Sequence, residues 1–108
     1  MTRLILQAKF EEILGSHNVY FQPPESKKLE YPAIVYSIKD IKKHRANNGS
    51  YMLSPGYEAV LIDKNPDSEY VEKILELPYS SFDRYYPSDN LNHWAFTIYN
   101  LKGGDIYV

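Results

Sequence analysis

Apolar side chains recur along this chain at spacings that alternate between the helical and the extended period. Leu6, Phe10, Ile13 and Leu14 fall at i, i+4, i+7 and i+8, which predicts one buried helix face. Gly15 follows, where a left-handed residue can cap the helix. Val19–Phe21 predicts a short strand, halted by Pro23-Pro24, since neither proline can donate to a ladder. Residues 25–30 read as a polar loop. Ala33–Ile38 and Tyr57–Asp63 are apolar and rich in β-branched residues, and they predict two central strands. Between them, residues 39–56 read as a long connection, polar in its first half and ending that half in Asn47-Asn48-Gly49-Ser50.

Beyond Asp63 the run Asn65-Pro66-Asp67-Ser68 is a helix-start signal, with Asp67 or Ser68 expected to cap the first turn. Val71, Ile74 and Leu75 then line one helical face until Pro78. Tyr79–Tyr85 and Trp94–Asn100 predict two further strands. The first places Ser81, Asp83 and Tyr85 on one face. The second alternates Trp94, Phe96 and Ile98 against Ala95, Thr97 and Tyr99, as a half-buried strand does. The order α-β-β-β-α-β-β predicts an α+β fold: a single mixed, mainly antiparallel sheet with two helices packed on it, forming one domain over 1–108. Ile34, Val35, Leu61, Val71, Ile74, Leu75, Phe96 and Ile98 form the expected core.

Composition narrows the chemistry. The formal charge of −2 argues against a strongly basic nucleic-acid binder. The absence of cysteine removes disulfides, thiolate metal sites and thiol nucleophiles, and suits a reducing compartment. Residues 1–14 lack the pattern of a targeting peptide, and no run approaches the roughly 18 apolar residues of a membrane span, so assembly in the cytoplasm is expected. His17, His44 and His93 fit no zinc spacing and read as ordinary surface or loop histidines. Asp89 and His93 could serve as an acid/base pair only if they converged in a concave site; a capped turn into the last strand accounts for them more simply. Ser80-Ser81-Phe82-Asp83-Arg84 has no nucleophile elbow, and the glycines form no phosphate loop. Gly103-Gly104 reads as a joint before the short apolar tail 105–108. No catalytic, cofactor-binding or metal-binding set emerges.

Two features point toward assembly. Eleven tyrosines exceed what so small a core requires, and Tyr is enriched at protein interfaces. The 39–56 connection carries the basic residues Lys42, Lys43 and Arg45 beside the apolar triplet Tyr51, Met52 and Leu53. These six residues form the expected interface, on a loop expected to be mobile until a partner orders it.

The segments YFQPPESKKLEYPAIVY, VLIDKNPDS and LPYSSFDRYYPSDNLNHWAFTIY resemble the tail terminators, or tail-to-head joining proteins, of long-tailed bacteriophages. The resemblance covers roughly two thirds of the chain. It implies a structural virion protein, not an enzyme, that forms a homo-oligomeric, hexameric ring. Such a ring caps the tail tube, stops its polymerisation and offers a docking face to the head connector. The implied partners are further copies of the chain, the tube protein and the connector, with genomic DNA passing through unbound and no membrane or cofactor involved. A head-closure or other neck ring is the alternative. A small enzyme or nucleic-acid-processing factor using Asp89, His93 and residues 42–45 is a more distant one, as is a soluble regulator of a cellular partner.

Overall fold

The structure, a computed structural model, describes residues 3–45 and 51–99, with 44, 45 and 51–53 described through their backbone alone. Its elements are α1 (Arg3–Leu14), β1 (Val19–Phe21), β2 (Ala33–Arg45), β3 (Tyr51–Asp63), α2 (Tyr70–Leu75), β4 (Ser80–Ser88) and β5 (Leu91–Tyr99). The strands form one sheet in the order β1-β2-β3-β5-β4, in which only β1 and β2 run parallel. The predicted mixed, mainly antiparallel sheet with two helices is what the chain adopts. Neither helix is long and apolar enough to cross a membrane.

Register explains the core. Ile34, Leu61 and Trp94 stand in one transverse row, and Tyr36, Ala59 and Phe96 in the next. Residues in one row share a face, and all six are buried. Helix α1 lays Leu6, Phe10 and Leu14 on that face, and α2 adds Ile74. Gly15 ends α1 as expected, at φ +69°, with its N–H donating to the Glu11 carbonyl at 2.8 Å.

Four expectations are corrected. Val35 pairs with Val60 on the opposite face and is only half-buried, like Val71. Leu75 is exposed, because α2 spans six residues and turns only Ile74 fully inward. The cap residue Asp67 bonds nothing in the helix. Asp63 Oδ1 accepts the Asn65 N–H (3.1 Å) and Asn65 Oδ1 accepts the Asp67 N–H (2.9 Å), so successive turns use these side chains before α2 begins. Ser68 Oγ reaches only the Tyr70 N–H, at 3.4 Å, and Glu69 at the helix start makes no side-chain cap. In β5 the expected alternation gives way to an unbroken buried run, Trp94–Ile98. This strand is interior, so its neighbours shield Ala95 and Thr97 on the face without helices.

A polar contact fixes α1 in register. Tyr36 donates its hydroxyl proton to Gln7 Oε1 (2.5 Å) and accepts from Arg3 Nη1 (3.0 Å). Gln7 Nε2 donates onward to the Val19 carbonyl (3.1 Å), and the Arg3 guanidinium lies 4.4 Å from the Phe21 ring centroid. Burial raises the Tyr36 pKa, with the Arg3 hydrogen bond and charge opposing that shift.

Two outcomes test this packing. Ile74→Ala empties the one fully buried site of α2 and should cost about 2–5 kcal/mol in urea unfolding. A loss below about 1 kcal/mol would mean that α2 is not seated on the sheet. Tyr36 holds its proton more tightly folded than unfolded, so its contribution is complete below about pH 10 and is lost as pH rises through the folded-state value. Tyr36→Phe should therefore flatten the decline of stability above pH 10, and equal slopes for the two proteins would contradict it.

Candidate functional site

The sheet narrows toward one end. β5 accompanies β3 only from Asp63 back to Gly56, and β1 accompanies β2 only over 34–36. Beyond those points, among the described residues, Asp40–Arg45 and Tyr51–Pro55 pair only with each other. The result is a two-stranded arm reaching roughly 20 Å past the sheet at about 3.3 Å per residue. It lengthens the molecule to 52 Å against 28 and 23 Å across.

This corrects the expectation of an open 18-residue loop. Residues 39–45 and 51–56 belong to strands, and only Asn47–Ser50 with Ala46 remain between them, outside the described residues, as does the 105–108 tail. Lys42 stands opposite Ser54, Lys43 opposite Leu53, His44 opposite Met52 and Arg45 opposite Tyr51. The six expected interface residues therefore share one ribbon. The side chains of Arg45, Tyr51, Met52 and Leu53 lie outside what is described.

Two β-bulges shape the surfaces around the arm. One inserts Lys39 between the pairs Ile38/Tyr57 and Asp40/Gly56. Ile38 and Ile41 thereby both face the helix side, beyond the cover of α1, and are 52% and 60% exposed. The other inserts Asp83 between Phe82/Phe96 and Arg84/Ala95. It moves Tyr85 onto the face of Phe82 and away from that of Ser81, correcting the simple alternation expected there. Phe82 packs edge-on against Phe96 (5.7 Å) and Tyr85 against Trp94 (5.5 Å), yet each remains 46% exposed. Leu75 and Tyr79, just before β4, are also exposed, and Tyr79 holds φ +61°.

On the face without helices the bulged polar residues meet. Lys39 Nζ donates to Thr97 Oγ1 (3.1 Å), which donates to Asp83 Oδ2 (2.6 Å). The two bulges are thus joined across β3 and β5. Tyr99 donates its hydroxyl proton to Asp40 Oδ2 (3.3 Å), and Lys42 Nζ lies 4.7 Å from the Tyr99 ring centroid. Gly56 sits beneath these groups. Nothing in the sequence brings Lys39, Thr97 and Asp83 together, because their meeting depends on register; Gly56, inside a β-rich run, is the one available signal of close approach.

The residues tested for acid/base chemistry separate. Asp89 and Asn90, at φ +55° and +62°, form the two-residue turn between β4 and β5. His93 stacks on Tyr86 at 4.8 Å, its Nδ1 is buried without a hydrogen bond, and none joins it to Asp89. His17 is exposed beside Glu11. Among the described residues no three His, Asp or Glu side chains could hold a metal ion. A hollow of about 350 Å³ between α1 and α2 is lined by Lys9, Glu12, Ile13, Lys73, Glu76 and Leu77. A second, of about 290 Å³, lies beside Asp63 and Tyr70. Neither contains Asp89, His93 or the basic run.

The arm's root is therefore the built part of this surface, and Gly56 tests it. A Cβ there would come 2.6 Å from Tyr99 Cε1 and closer still to Asp40 Oδ1. Gly56→Ala should displace both groups, cost roughly 1–3 kcal/mol by overpacking, and raise amide exchange in residues 39–42. Unchanged exchange there would mean that the root contacts do not hold the arm. The chain matches no protein-family model and no curated protein.

Proposed function

We propose that the protein is a structural ring component of a long-tailed phage, a tail terminator that stops tube growth and receives the head connector. The observation that carries this reading is the arm. An isolated two-stranded ribbon is marginal in water, and here it also exposes Ile38 and Ile41. Such an element gains stability when a partner covers it. The half-exposed rings of Phe82 and Tyr85 on β4 are a second uncovered surface, so each subunit offers two different contacts. The resemblance of three sequence segments to tail terminators supplies the identity of the assembly. Lys42, Lys43 and Arg45 suit acidic groups on a tube or neighbouring subunit, and Tyr51, Met52 and Leu53 suit burial against it.

Ile41 and Pro55 are partners in register, so an Asn-Gly turn in place of residues 42–54 closes the hairpin and leaves every residue of the apolar cluster in place. In the phage that encodes this protein, that shortened chain should fold yet give overlong tails unattached to heads, as should deletion of the gene. Tails of normal length joined to heads in the deletion strain would overturn the terminator reading. Normal tails with the shortened chain alone would show that termination does not use the arm.

A further inference from the structure

We propose that copies of this chain join head to tail by strand addition, the outer edge of the β2 arm pairing with β4 of the next copy. The inference deepens the ring-forming reading and rests on it. Beyond Tyr36, no described strand lies along the outer edge of β2; Gln22 Oε1 accepts the Ile38 N–H there in a strand's place (3.1 Å). β4 is the other outer strand, and no described strand lies beyond it. Unpaired edges of this kind are templates for another chain.

Direction, face and charge each fit this pairing. Three antiparallel steps separate β2 from β4, so the two run in opposite directions. Ser80 is level with Ile38 across the sheet, so a neighbour in the same orientation, shifted along the strands toward the arm's tip, presents β4 antiparallel to the arm. The shared sheet also has a shared face. Ile38 and Ile41 of one copy come to the same side as Phe82 and Tyr85 of the next, because each bulge turns its apolar pair toward the helices. Residues 39–45 hold Lys39, Lys42, Lys43 and Arg45 against Asp40, whereas residues 64–76, before β4, hold Asp67, Glu69, Glu72 and Glu76 against Lys64 and Lys73. Unlike charges thus meet at this contact, while arm-to-arm or edge-to-edge pairing would set like charges together. Pro87 lacks an N–H and ends the usable edge of β4. The contact is heterologous, so it propagates from copy to copy until a ring closes.

Mixing two interface variants tests it. Ile41→Asp damages the arm at an exposed site, and Phe82→Lys damages the edge. Each alone should be monomeric by light scattering with an unchanged circular dichroism spectrum, under conditions where the wild type forms rings. An equimolar mixture should give a one-to-one dimer and nothing larger, because one intact arm and one intact edge remain. Should Phe82→Lys unfold the chain, Tyr85→Lys replaces it, since that ring is 46% exposed on the same face of β4. Rings from either single variant, or a mixture that stays monomeric, would overturn the proposed pairing while wild-type rings left the ring reading standing. A wild type monomeric at millimolar concentration would also overturn the pairing, and the tail-length assay then decides the terminator reading separately.

Discussion

β2 and β3 pair with each other through twelve residues apiece, but among the described residues only the half nearest the helices has further strands beside it. That inequality governs the rest of the molecule. In the wide half, five strands and two helices bury Phe10, Tyr36, Leu61, Ile74 and Phe96 as one cluster. In the narrow half the two strands pair only with each other among the described residues, with Ser54 and Pro55 buried near the root, and a ribbon in that state depends on what holds its root. Here the root is held on both faces. Tyr36, Gln7 and Arg3 tie β2 to α1 on the helix side. Lys39, Thr97 and Asp83 tie it to β5 and β4 on the other.

The bulges at Lys39 and Asp83 resolve a conflict between polar and apolar demands. Regular alternation after Ile38 would turn Ile41 to the face without helices; the extra residue returns it to the helix side. The same shift brings Lys39 to Thr97, and its counterpart brings Asp83 to Thr97 from the other direction. One threonine hydroxyl therefore links two irregularities that lie three strands apart. Charge-assisted hydrogen bonds at a partly buried hydroxyl are among the stronger polar contacts available to such a surface. They offset the ladder bonds that each bulge interrupts. The exposed apolar side chains remain an unbalanced cost for a solitary subunit, which is the physical reason for reading this molecule as part of an assembly.

Much of this was legible in the order of residues. The periodicity of Leu6, Phe10 and Leu14, the glycine after them, the β-branched runs 33–38 and 57–63, and Asp89-Asn90 as a turn all follow from local rules acting within a few residues. Those rules determined the element order and hence the α+β sheet. They did not determine where β2 and β3 end. Residues 39–45 are polar on both faces of a strand, and such a run reads as loop until a partner strand satisfies its backbone. Nor could alternation anticipate the bulges, which displace Tyr85 from the face of Ser81. Leu75 was misplaced for a related reason: helical spacing identifies an apolar side, but only the position of α2 against the sheet decides how much of that side is covered. Thr97 meeting Lys39 and Asp83, and the outward placement of Ile38, Ile41, Phe82 and Tyr85, are consequences of register among strands distant in sequence. The sequence by itself determined what the elements are; the tertiary structure decided which edges and side chains were left without a neighbour, because that depends on contacts between residues some sixty positions apart.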